Sequence, residues 1–152
     1  MDFTQIFSLS SLTVMPLWGA MILLPGWRIT ERVMRSPLSI ALPAALYAAL
    51  VLPDAPAIFQ AVSSPSLAGI AQLLGSQQGA TIAWVHFLAF DLFVGRWAYL
   101  DSRERGIHPL LMAPVLFMTL MLGPIGFLLY LALRAAYGLR TGQAPAPETQ
   151  RV

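Results

Sequence analysis

The apolar residues of this chain fall into blocks long enough to cross a bilayer, separated by short polar runs. About 20 apolar residues make a helix of ~30 Å, and in hydrocarbon only a helix or a closed barrel satisfies its own backbone hydrogen bonds. Four such blocks predict spans at about 6–24, 37–53, 79–100 and 109–133. Only 11% of the residues are charged and 57% are hydrophobic, whereas roughly a quarter of a soluble domain is charged. A polar coat cannot be built from this composition. The expected fold class is an all-α membrane protein: a four-transmembrane-helix bundle with a short interfacial helix between the second and third spans. One domain covers 1–142, and the polar 143–152, with Pro145 and Pro147, is expected to be a disordered tail.

Local signals refine the spans. Pro16 predicts a kink in the first, and Pro25-Gly26 ends it, with Trp27 at headgroup level. The loop from Arg28 to Arg35 carries three arginines, and Thr30 offers an N-cap for the second span. Pro53-Asp54-Ala55-Pro56 breaks that span. Ser63-Ser64-Pro65 and Gly75 then bracket the interfacial helix, 65–74, whose Leu67, Ile70, Ala71 and Leu74 share one face. Gly106 suits a helix C-cap and Pro109 a first helical turn, so spans three and four are expected to form a tight hairpin. Gly123-Pro124-Ile125-Gly126 marks a kink in the fourth span.

The third span has ionisable residues in its interior: His86, Asp91 and Arg96. Such groups are costly at membrane depth and are kept for a task or a partner. Successive members lie five residues apart, about 140° in helical projection, so the three point to three faces. The bland reading is that each bonds a different neighbouring helix and locks the bundle. The functional reading takes the density of His86, Asp91 and Arg96 among the aromatics Phe87, Phe90, Trp97 and Tyr99 as the mark of a site. Asp101, Glu104 and His108 form a supporting polar cluster at the exit of the span, where Asp101 and Arg105 have the spacing of a helix ion pair.

Other classes are poorly supported. With no cysteine there is no disulfide, thiolate metal site or cysteine nucleophile. His108 lies ~33 Å along the helix path from His86, so no metal site is expected. Arginines beside apolar blocks do not make a nucleic-acid patch, and no nucleotide loop or nucleophile elbow is present. Arginine counts place the loops after spans one and three on the cytoplasmic side, with both termini opposite, although Arg134, Arg140 and Arg151 argue the other way. The N-terminus lacks a basic n-region, so the first span is expected to stay as an anchor.

The run HFLAFDLFVGRWAYLDSRERGIHPLLMAPVLFMTLMLGPIGFLLY, from His86 to Tyr130, resembles the abscisic-acid-deficient-type family of plants and bacteria. The stretches Pro16-Leu17-Trp18 and Met21 to Thr30 resemble it too. The resemblance implies four transmembrane helices and a role in xanthophyll metabolism, since the family is linked in plants to neoxanthin synthesis. It transfers no established catalytic residues. The absence of a transit peptide implies a bacterial member, in an inner membrane. The expected activity is isomerisation of a carotenoid epoxide end group, which needs an acid at the oxygen and a base at the adjacent polyene carbon, and no cofactor. On that reading Asp91, His86 and Arg96 are catalytic, as acid, base and holder of the alkoxide, with Phe87, Phe90, Trp97 and Tyr99 lining the polyene groove. The alternative is a non-enzymatic carotenoid- or pigment-binding subunit, or an assembly factor of a pigment–protein complex. Expected partners are membrane lipid, a carotenoid or other pigment, and a homo-oligomer or pigment–protein complex.

Overall fold

The computed structural model describes residues 2–141, and the polar tail 143–152 lies outside the described residues. All regular structure among the described residues is helical, and four segments are long and apolar enough to cross a membrane: Phe3–Leu23, Pro37–Ser63, Gln77–Glu104 and Pro109–Leu139.

The first segment is α1 (Phe3–Ser10) and α2 (Met15–Leu23), joined by the 3-10 turn Ser11–Thr13. The break has two causes. Pro16 has no N–H to give to the preceding turn, and the hydroxyls of Ser10 and Thr13 donate to the carbonyls of Phe7 and Ser10. The expected loop at 28–35 is instead helix α3 (Arg28–Arg35). Thr30 therefore caps no helix start; it is buried, and its hydroxyl donates to the Leu24 carbonyl at the end of α2. The second segment does not stop at Pro53. A 3-10 turn, Leu52–Asp54, joins α4 (Ala41–Val51) to α5 (Ala55–Ser63), because Pro53 and Pro56 both fall in first helical turns, where a missing N–H costs nothing. Helix α6 (Leu67–Gly75) follows, capped by Ser66 rather than by Ser63 or Ser64.

Helix α7 (Gln77–Glu104) is the central member, packed by α1, α2, α3, α4, α6 and α8. Cross-contacts give the directions. Phe7 meets Trp84, Trp18 meets Gly95 and the Tyr99 hydroxyl donates to the Pro25 carbonyl, so the first segment runs parallel to α7. Tyr47 meets His86 and Asp54 accepts from Gln78, so the second runs antiparallel. Gly95 is needed for the close approach of Trp18, since a Cβ there would overlap the indole ring.

Helix α8 (Pro109–Thr141) leaves helical geometry at Leu122 and Gly123. Gly106 terminates α7 with a positive φ, and α8 starts at Pro109, as expected. A straight helix from Pro109 to Tyr137 would measure roughly 42 Å. Yet the Tyr137 hydroxyl donates to the Gly106 carbonyl over 2.9 Å, at the very start of α8. The expected kink is thus a reversal. An outgoing arm, 109–121, descends along α7, and a return arm, 124–141, climbs back beside it. Gly126 makes the sharp fold feasible, as a Cβ there would overlap the Thr119 backbone on the outgoing arm. The start of the chain, at Thr81, and the end of the return arm, at Gly106, lie at opposite ends of α7. The described part of the chain therefore begins and ends at opposite ends of α7, and Arg134 shares its end with the basic loop at Arg103 and Arg105.

With no native cysteine, single-cysteine labelling reads this topology directly. His108→Cys and Ala136→Cys should react with an impermeant maleimide from the same side, and Ser64→Cys from the other. Labelling of Ala136→Cys together with Ser64→Cys would exclude the hairpin.

Candidate functional site

The hairpin tip defines the site. Gly123 sits against the Asp91 carboxyl so closely that a Cβ would collide with Oδ1. Asp91 is half-buried and has neither a hydrogen bond nor an ion pair among the described residues. It stands at the middle of α7, at the depth where the hairpin stops. One turn before it on the same face, Phe87 is 56% exposed; one turn after it, Gly95 is covered by Trp18. The carboxyl thus has an exposed aromatic ring on one flank and packed protein on the other.

The structure does not bring His86 and Arg96 to Asp91. The His86 ring stacks on Phe90 at 4.6 Å and lies 5.3 Å from Tyr47, towards α4. Arg96 donates through Nε to the Met34 carbonyl and through Nη2 to the Arg35 carbonyl over 3.1 Å. It thereby satisfies the last carbonyls of α3 and places a cation at the negative end of that helix dipole. Of the four expected lining residues, Phe87 and Phe90 are exposed on the outer surface. Tyr99 is 1% exposed, with its hydroxyl held 2.7 Å from the Pro25 carbonyl, so it closes the end of the first segment instead of lining a groove. Trp97 is packed by Phe127 and by the edge of Tyr130, with the Arg134 guanidinium 5.6 Å over its ring.

The polar cluster at the exit of α7 has other members than expected. Asp101 accepts from Arg105 Nε at 2.7 Å and from the Tyr130 hydroxyl, and forms an ion pair with Arg134, whose Nε lies 3.1 Å away. Glu104 and His108 do not bond to it. Glu104 is exposed, and His108 Nδ1 accepts from the Leu110 N–H at the start of α8. Tyr130 and Arg134 come from the return arm, and only the reversal at Gly123 brings them here. The signal that could have found them is length: the 31 residues of Pro109–Leu139 exceed what one crossing needs, with Gly-Pro in the middle. Trp18 was also missed. It is 1% exposed, its indole N–H is buried without a hydrogen-bond partner among the described residues, and the benzo edge of its ring packs on Gly95, one turn of α7 from Asp91.

Fold and site define a multi-pass membrane protein with an unpaired carboxyl at the tip of a helical hairpin. A family profile described as ABA DEFICIENT 4-like matches residues 5–130, and the chain belongs to that family. It is 29% identical over 111 residues to Protein ABA DEFICIENT 4, chloroplastic, of Arabidopsis thaliana; the match covers 69% of this chain and 50% of that protein. The chain thus spans about half the length of the curated relative that it matches. No solved structure matches.

The Asp101 cluster can be tested apart from any activity. Asp101→Asn removes the charge that pairs with Arg105 and Arg134, and should destabilise the detergent-solubilised protein by about 1–3 kcal/mol, seen as a lower thermal midpoint. Glu104→Gln, on an exposed side chain outside the cluster, should stay within ~0.5 kcal/mol of the parent.

Proposed function

We propose that this protein isomerises a carotenoid epoxide end group within the membrane, with Asp91 as the acid. The observation that carries this reading is the position of Asp91: an unpaired, half-buried carboxyl at mid-helix, beside the exposed Phe87, in a chain of the ABA DEFICIENT 4-like family. A carboxyl held as the neutral acid in a dry site is suited to protonating an epoxide oxygen.

In the proposed step the carbon–oxygen bond next to the polyene breaks and the oxygen takes the Asp91 proton, becoming a hydroxyl. The adjacent polyene carbon loses a proton, and its electron pair closes the new double bond. His86 faces α4, so the carboxylate left on Asp91 is the nearer base, and accepting that proton restores the acid. Substrate and product are isomers, so no electron acceptor enters the balance. Arg96, committed to the α3 carbonyls, is not available to the oxygen. Phe87 and Phe90 lie along the route by which a polyene would approach.

A second reading is favoured by one observation, the separation of His86 and Arg96 from Asp91. It makes the protein a carotenoid-binding membrane subunit or assembly factor without chemistry. Carotenoid profiling of a deletion strain complemented with variants decides between the two. Asp91→Asn should lower product formation by roughly 100-fold or more. Wild-type product from well-expressed Asp91→Asn removes Asp91 from the reaction. An unchanged profile on deletion, with pigment bound stoichiometrically to the purified protein, establishes the binding subunit.

A further inference from the structure

The end of the bundle opposite α6 carries a feature that the reading of Asp91 does not use. Helix α3 presents Arg28, Arg32 and Arg35 at spacings of four and three, one stripe on a helix surface. Its opposite face is anchored: Thr30 and Met34 are buried, and Arg96 holds its C-terminal carbonyls. The stripe lines a surface cleft of about 260 Å³ together with Glu31. Glu31 is engaged within the helix, its Oε1 accepting from Arg35 Nε at 3.1 Å and Nη2 at 2.8 Å. The Arg35 guanidinium holds that carboxyl below its ordinary range, so it is a settled anion. Three arginines against one glutamate leave the cleft with a net charge of +2, and Arg28 and Arg32 have no ion pair among the described residues.

We propose that the cleft between Arg28 and Arg32 is a binding site for the headgroup phosphate of an anionic phospholipid. Two adjacent guanidinium groups offer planar, forked donors matched to phosphate oxygens. The source is a lipid and not a free anion because of what flanks the stripe. Trp27, Ile29 and Val33 are 51%, 49% and 37% exposed on the same short helix. Against water they are an apolar liability; against a bilayer they enter the headgroup–acyl boundary while the arginines stay at phosphate level. The charge distribution agrees. The opposite end, α5 and α6 with their flanking turns, carries only Asp54 among the residues from Leu52 to Gly75, so attraction to an anionic leaflet acts at one end of the molecule.

The test is native mass spectrometry of the full chain in detergent with equimolar phosphatidylglycerol and phosphatidylcholine. The parent protein should retain phosphatidylglycerol preferentially, excess inorganic phosphate should not displace it, and Arg28→Gln/Arg32→Gln should lower the preference by on the order of tenfold. Both side chains are exposed, so the substitutions leave the packing untouched. Equal retention of the two lipids, displacement by inorganic phosphate, or an unchanged preference in the double variant would overturn the proposal. None of these outcomes depends on Asp91 or on any carotenoid.

Discussion

The fold rests on one carboxylate. Asp101 gathers Tyr130, Arg134 and Arg105 at the exit of α7, and in doing so fixes the return arm of α8 beside the helix that precedes it. In a bilayer, apolar arms gain little by leaving lipid for protein, because both surroundings are hydrocarbon. Shape and polar contacts must then set the register. Trp97 reinforces the same junction from within, sandwiched among Phe127, Tyr130 and Arg134. With the return arm held at Asp101 and at Gly106, the tip of the hairpin can stop only where the arms run out, and that is the level of Asp91.

The other polar groups of α7 follow a single theme. Arg96 closes the carbonyl end of α3, Tyr99 closes the end of the first segment, and Ser102 donates back to the Tyr99 carbonyl. The first two satisfy backbone carbonyls at segment ends near the membrane boundary, and the third keeps a buried hydroxyl paired within its own helix. For these residues the structural explanation of intramembrane polarity is sufficient. Asp91 differs in having no such duty: Gly123 of the hairpin packs on its carboxyl, and Phe87, one turn before it, is exposed.

Much of this architecture was legible in the sequence by itself. The apolar blocks, the scarcity of charge, the C-cap at Gly106, the helix start at Pro109 and the break at Gly123-Pro124 each reflect local physics: hydropathy, the permissive backbone of glycine, the missing N–H of proline. Helical periodicity also determined that His86, Asp91 and Arg96 point to three faces. What each face meets is a property of the neighbours, and only the tertiary structure decided it. The angle at Gly123 is the clearest case. Gly-Pro permits anything from a gentle bend to a reversal, and the choice was made by Tyr130, Arg134 and Tyr137 finding partners on α7 far back in the chain. Long-range pairing of that kind leaves no periodic trace, so the sequence alone determined that the fourth segment must break, and packing against α7 decided that it turns back on itself.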